Sequence, residues 1–162
     1  MGAEVFLVHP GGPFWRNKDD GAWSIPKGLY ERNEDPLAAA QREFTEETGC
    51  TAEPPFIPLG AFKVSGDKTV SVWAAEGDWA PENLVSNTFP LEWPPKSGRF
   101  QDVPEVDRGA WFAAPEALLK ITPGQRAIIK AFFETVVPQK AARVRRRARS
   151  TRRQTGRSGA QA

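Results

Sequence analysis

The sequence predicts a mixed α/β domain over residues 1–138, followed by a basic tail over 139–162. Three observations predict it. Residues 4–9 form an apolar, branched run that reads as a buried strand. Residues 35–49 carry both the start and the stop signal of a helix, and residues 56–75 alternate as a hairpin. An apolar helical face near the end of the domain completes an order of strands, helix, strands and helix.

The first strand ends at His9-Pro10-Gly11-Gly12-Pro13, and Lys18-Asp19-Asp20-Gly21 is a turn by composition. Trp23-Ser24-Ile25 is extended, because Pro26 disfavours helical backbone just before it. Asp35-Pro36 starts a helix, with aspartate as the cap and proline at the first helical position. That helix runs to Thr48 and stops at Gly49, a candidate left-handed cap. Leu37, Ala40 and Phe44 form its buried stripe. Residues 56–64 and 69–75 pair around Ser65-Gly66-Asp67-Lys68, with Val70, Val72 and Ala74 alternating. Residues 76–109 are rich in Pro, Gly and Trp and read as one long loop, a feature that usually has a function. A short strand at 109–112 and a short helix at 115–120 follow. Thr122-Pro123 opens a last helix that packs through Ile128, Ile129, Phe132, Phe133 and Val136. Pro138 is expected to end it and to leave the tail disordered and solvated.

Charge divides the chain in the same place. The formal charge is +2, but residues 139–162 hold Lys140 and eight arginines with no acid. That leaves 13 basic against 20 acidic residues in 1–138, so the body carries −7 and the tail +9. One cysteine, Cys50, excludes an internal disulfide and a Cys-based zinc cluster. It occupies a position that suits a small buried hydrophobe. The single histidine, His9, argues against a multi-His metal site and reads as structural. No apolar run approaches the roughly 18–20 residues of a membrane span. The opening residues lack the basic region of a secretory signal, and Leu7 stands where a myristoylation signal needs Ser or Thr. The expectation is a cytoplasmic protein with no membrane partner.

Glu43, Glu46 and Glu47 stand at i, i+3 and i+4 of the predicted helix, so they share one face about 5–6 Å apart. Their repulsion costs the helix roughly 0.2–0.5 kcal/mol per pair. They also sit near the helix C-terminus, where the macrodipole disfavours anions. A cation should therefore offset them, and hard divalent ions prefer oxygen ligands. The plainer alternative is a solvated acidic face with Arg42 paired to Glu46.

The spacing around these acids decides between the two. Gly28 is followed by five residues and Glu34, then seven residues and Arg42-Glu43-Phe44, one residue and Glu46-Glu47, one residue, Gly49 and Cys50. This pattern resembles the Nudix box at nine positions over 23 residues. The resemblance implies a Nudix fold, a mixed β-sheet sandwiched between helices, with a loop–helix–loop that binds Mg²⁺ or Mn²⁺. The implied reaction is hydrolysis of a nucleoside diphosphate linked to another moiety. Carried over by position, Glu43 and Glu47 are metal ligands, and Glu46 is a ligand or a carboxylate just behind them. The carbonyl of Lys27 supplies a further metal oxygen. Arg42 orients the glutamates, Glu34 braces the loop against the helix, Gly28 allows the tight turn and Gly49 ends the helix. Glu43, Glu46 and Arg42 belong to the catalytic group. The base that takes a proton from water is either Glu43 or Glu105, the latter at the far end of the long loop.

The substrate is less legible. Trp23-Ser24-Ile25-Pro26-Lys27-Gly28 resembles the Trp-x-x-Pro-Lys-Gly lead-in of Nudix enzymes acting on dinucleoside polyphosphates and diphosphoinositol polyphosphates, which makes Lys27 a phosphate contact. A wider pattern is similar to bacterial proteins predicted to be NTP pyrophosphohydrolases, over about residues 4–137. It comprises Val8-His9-Pro10-Gly11-Gly12-Pro13, Asp19-Asp20-Gly21-Ala22-Trp23, Leu91-Glu92-Trp93-Pro94-Pro95 and Glu105-Val106-Asp107-Arg108. No tyrosine stands near position 67, where dinucleoside polyphosphate hydrolases often carry one. Trp15 and Trp93, in loops, are candidates to stack on a base, and Lys96 and Arg99 to touch phosphate. Nudix domains usually carry a strand upstream of the one at 4–9, so either the natural protein is longer or a sheet edge is uncovered. The competing reading is a binding module that senses a nucleotide or holds RNA through the basic tail, in which nucleic acid is a partner. Retention of every box carboxylate favours the enzyme.

Overall fold

The computed structural model describes residues 2–30 and 32–155, the last six by backbone alone. The apolar run becomes strand β1 (Glu4–Pro10), in which Phe6, Leu7, Val8 and His9 are all buried. A strand buried on both faces has no need to alternate, which is why it reads as a continuous run. Its partner is β6 (Val106–Ala113), antiparallel, with Glu4 opposite Ala113 and His9 opposite Arg108. On the other side of β1, Val8 and Ser24 exchange two backbone hydrogen bonds of 2.9 Å. Beyond that bridge, no strand pairs with the outer edge of β1 among the described residues. Trp23 next to it pairs in parallel with Ile121, so the pairing is mixed.

The two faces of β1 feed two clusters. Leu7 packs with Trp23, Phe112, Ala117, Ile121 and Ile129, against helices α2 (Ala114–Lys120) and α3 (Arg126–Ala131). Phe6 and Val8 pack with Val106, Trp79, Leu84 and Trp111. Trp79 in turn meets Phe44 of helix α1 (Pro36–Thr48) with ring centroids 4.8 Å apart. The strands thus lie between α1 on one side and α2 and α3 on the other.

Helix α1 begins and ends where the sequence says it should. The Asp35 carboxylate accepts from the Ala38 amide at 3.0 Å, and Gly49 adopts φ 73° while its amide donates to Thr45. Its most buried residues are Ala39 and Thr48, whereas Leu37, Ala40 and Phe44 are half-buried. These three face a cavity of about 610 Å³ that separates α1 from the hairpin of β2 (Ile57–Ser65) and β3 (Lys68–Ala74), so the predicted stripe is not closed over. Cys50 is likewise half-buried rather than buried, its amide donating to the Thr48 hydroxyl.

Two expectations fail. The segment 76–109 is not one loop: it contains a short 3₁₀ turn at Pro81–Asn83 and a hairpin of β4 (Thr88–Glu92) and β5 (Phe100–Pro104), in register from Thr88–Pro104 to Glu92–Phe100. Pro90 sits inside β4, which is tolerated because a two-stranded hairpin leaves each strand an open edge. Nor does Pro138 end the last helix. A π-helical turn at Phe132–Val136 follows α3, and α4 continues from Val137 to Thr155. In that turn the Val137 amide reaches back five residues to the Phe132 carbonyl. The wider turn shifts the carbonyls that a proline ring would meet in a regular helix. The part of the tail expected to be disordered is therefore helical as far as Thr155, and residues 156–162 lie outside the described residues.

Candidate active site

The loop from Trp23 to Gly28 reaches α1 because its start is fixed from below. Buried Gln125 accepts from the Ile25 amide at 2.9 Å and donates to the Ser24 hydroxyl at 3.0 Å. Ser24 and Ile25 of the lead-in are thereby tied to the turn before α3. Further along, the Lys27 amide donates to the Glu47 carboxylate at 3.2 Å. Gly28 then passes so close to the helix that a Cβ there would fall on the Glu43 carboxyl group. Any side chain at this position displaces Glu43.

Arg42 gathers the acids. Its Nε and Nη2 donate to the two oxygens of Glu34 at 2.9 and 3.1 Å, the fork geometry of a strong arginine–carboxylate pair. Nη1 donates to Glu43 at 3.0 Å and to Glu46 at 3.2 Å, and Nη2 also reaches the Leu29 carbonyl. Hydrogen bonds to Glu34 and then Glu46 push the arginine's pKa further above its already high value. One guanidinium thus spans the loop acid and two helix acids.

Glu47 lies on the drier side of the same helix face. Burial pushes its carboxyl up to about 7, with like-charge repulsion from Glu105 and Glu43 in the same direction and the Lys27 amide opposing. Glu105 is also raised, by burial first and then by Glu43 and Glu46. Glu105 stands beside the helix acids although 58 or more residues separate them in the chain. A backbone relay holds it there: the Glu105 amide donates to the Asn87 carbonyl at 2.9 Å, and the Asn87 amide donates to the Glu46 carbonyl at 2.8 Å. The Val85 amide caps the Thr48 carbonyl at 2.9 Å in the same way. Sequence reading missed Asn87 and Gln125.

His9 forms a second support. Its Nδ1 lies 2.8 Å from Asp107 and its Nε2 2.6 Å from the Lys18 carbonyl, and the ring is fully buried. It is structural: it clamps the corner two residues after Glu105 to the turn after β1.

The other expected contacts lie elsewhere. Trp15 stacks edge-on with Phe14, 5.0 Å between centroids, and Lys18 sits over both rings. Trp93, Lys96 and Arg99 belong to the tip of the β4–β5 hairpin, where the Trp93 amide donates to the Arg99 carbonyl. Among the described residues none of these four makes a hydrogen bond, ion pair or ring contact with the glutamates. The tryptophan that meets α1 is instead Trp79, against Phe44, and Trp111 stacks on it at 5.8 Å.

The donor set is four carboxylates with backbone oxygen nearby, hard ligands that suit Mg²⁺ or Mn²⁺. Among the described residues no three acids enclose an ion-sized space, since Arg42 draws Glu43 and Glu46 while the Lys27 amide draws Glu47. Burial raises Glu47 and Glu105 first and neighbouring carboxylates add to it, and a divalent cation suits such a set in sign and in ligand chemistry.

Comparison with known proteins agrees with this geometry. The chain is 27% identical over 141 residues to the RNA pyrophosphohydrolase of Roseobacter denitrificans, covering 74% of this chain and 77% of the relative. A solved mutT/nudix family protein from Listeria innocua superposes with a TM-score of 0.54 at 22% identity, over 86% of this chain and 84% of that one, which bears on the fold. The family model of the NUDIX domain matches residues 2–132. A helix whose acids are gathered by Arg42, a glycine pressed on Glu43 and a match over most of its length together assign this chain to the Nudix hydrolase family.

Proposed function

We propose that the chain is a divalent-metal-dependent pyrophosphohydrolase that cleaves a nucleoside diphosphate linked to another moiety, an NTP or a dinucleoside polyphosphate, by attack of water on phosphorus. The observation that carries this reading is the meeting of Glu43, Glu46, Glu47 and Glu105 at one helix end. Glu43, Glu46 and Glu47, with the Lys27 carbonyl, hold the cation. A bound Mg²⁺ or Mn²⁺ neutralises pyrophosphate charge and makes water a better nucleophile. Arg42 and Glu34 keep the helix acids aimed, and Gly28 leaves Glu43 its place. Glu105 takes the proton from water. Its carboxylate accepts no hydrogen bond among the described residues, whereas Glu43 is held by Arg42, and burial raises Glu105 above the ordinary carboxylate value, which strengthens it as a base. The Lys27 side chain, exposed beside Glu47, meets the substrate phosphates.

A 5′-triphosphorylated RNA carries the same anhydride, and the Roseobacter relative is named for RNA. The test is phosphate release with Mg²⁺ across NTPs, dinucleoside polyphosphates, ADP-ribose, diphosphoinositol phosphates and triphosphorylated RNA. Turnover of at least one of them should vanish in EDTA and drop by orders of magnitude in Glu46→Gln. Undiminished turnover in EDTA would overturn the proposal.

A further inference from the structure

We propose that α4 is a docking arm for the phosphate backbone of a nucleic acid, a role separate from hydrolysis. Val137–Thr155 contains seven arginines, one lysine and no acid. Residues 138–149 are exposed throughout, so these charges do not serve the core. The arm is nevertheless tied to the fold. It continues α3 through the π-helical turn, and Ile128 and Ile129 of α3 are buried in the domain. At its base Lys140 pairs with Glu76. Nineteen residues project about 28 Å.

The helix is unfavourable by itself. Arg145 and Arg149 are a like-charge pair at i and i+4, and the helix contains no acid. The same reasoning that assigns a cation to the glutamates of α1 assigns a polyanion here. Its chemistry can be narrowed. At 3.6 residues per turn, Ala141, Val144 and Ala148 fall on one narrow stripe, and cations occupy the remaining arc. A helix lying in a membrane surface carries Trp, Phe or Leu on such a stripe, and this one offers only valine and alanine. A second copy of the helix would set arginine against arginine. Arginine outnumbers lysine seven to one, and its fork pairs with phosphate oxygens two at a time. The body's formal −7 repels the same polyanion, which favours the arm as the place where its backbone is held.

The test compares the full chain with a variant carrying Arg143→Gln, Arg145→Gln, Arg146→Gln and Arg149→Gln, and with the four corresponding Arg→Lys changes. Fluorescence anisotropy reads binding to a labelled single-stranded RNA of about 20 nucleotides and to a DNA duplex of the same length, from 50 to 200 mM salt. Phosphatidylserine vesicles form a third arm. With about six contacts and a slope of about −0.7 per phosphate, the wild-type plot of log affinity against log salt should fall with a slope near −4. The Gln variant should bind at least tenfold more weakly, with a slope near −1.4, while its turnover of a small nucleotide is unchanged. The Lys variant should keep most of the salt slope. Equal affinity of wild type and Gln variant would overturn the proposal. So would a slope near zero, a Lys variant as weak as the Gln variant, or binding to vesicles without binding to either nucleic acid.

Discussion

Glu47→Gln should make the metal-free protein more stable at pH 8, although it removes a carboxylate of the proposed metal site. In the folded chain burial holds the Glu47 carboxyl at about 7 against an ordinary 4.5. The folded state therefore keeps a proton that the unfolded chain has released. Its stabilising effect is complete below about 4.5 and is lost as pH rises through about 7. At about 1.36 kcal/mol per pH unit the loss is somewhat over 3 kcal/mol. Partial exposure and the weaker hydrogen bond that a neutral amide makes with the Lys27 amide reduce the expected gain from glutamine to about 2 kcal/mol. For a chain of this size that is roughly 4–8 °C in melting temperature. The assay is thermal unfolding in EDTA, followed by circular dichroism at pH 5 and pH 8. Glutamine should raise the melting temperature at pH 8 and change it little at pH 5. Adding Mg²⁺ at pH 8 should stabilise the wild type and not the variant. A variant that melts below wild type at both pH values in EDTA would refute the desolvation argument.

Three further changes separate the parts of the site. Gly28→Ala places a methyl on the Glu43 carboxyl group and should lower kcat at least tenfold while far-ultraviolet circular dichroism is unchanged. Glu105→Gln should lower kcat by about 10²–10⁴-fold and remove the acid limb of the pH–rate profile, as expected for loss of a general base. His9→Ala removes a fully buried ring with two partners and leaves the Lys18 carbonyl without its donor. It should cost about 2–4 kcal/mol in urea unfolding, and an effect below about 0.5 kcal/mol would contradict the clamp described for Asp107.

Where the signal is local, the chain reads correctly from its letters. Asp35-Pro36 and Gly49 bound α1 because a cap, a fixed φ and a left-handed turn depend on one residue each. Box spacing finds Arg42, Glu43, Glu46 and Glu47 because little more than one turn of α1 brings them together, and Glu34 because the Arg42 fork reaches it from the helix. The β4–β5 hairpin escapes notice because Thr88-Phe89-Pro90-Leu91-Glu92 is mostly exposed and contains a proline, so neither alternation nor propensity marks it. The helix that runs past Pro138 depends on a π-helical turn, which no single residue announces. Asn87 is invisible for another reason: its backbone, not its side chain, links Glu46 to Glu105.

That link has an evolutionary consequence. Asn87 and Glu105 are the two posts between which Thr88 to Pro104 leaves and returns, and Thr88 lies opposite Pro104 in the ladder. The hairpin is therefore a cassette whose ends meet at a fixed gate. Lengthening, trimming or replacing its tip leaves the relay from Glu46 through Asn87, and so Glu105, in place. Loop closure makes such changes inexpensive, adding only about 0.6 kcal/mol per doubling of length. The segment can drift in length and composition while the link between Glu46 and Glu105 is inherited intact.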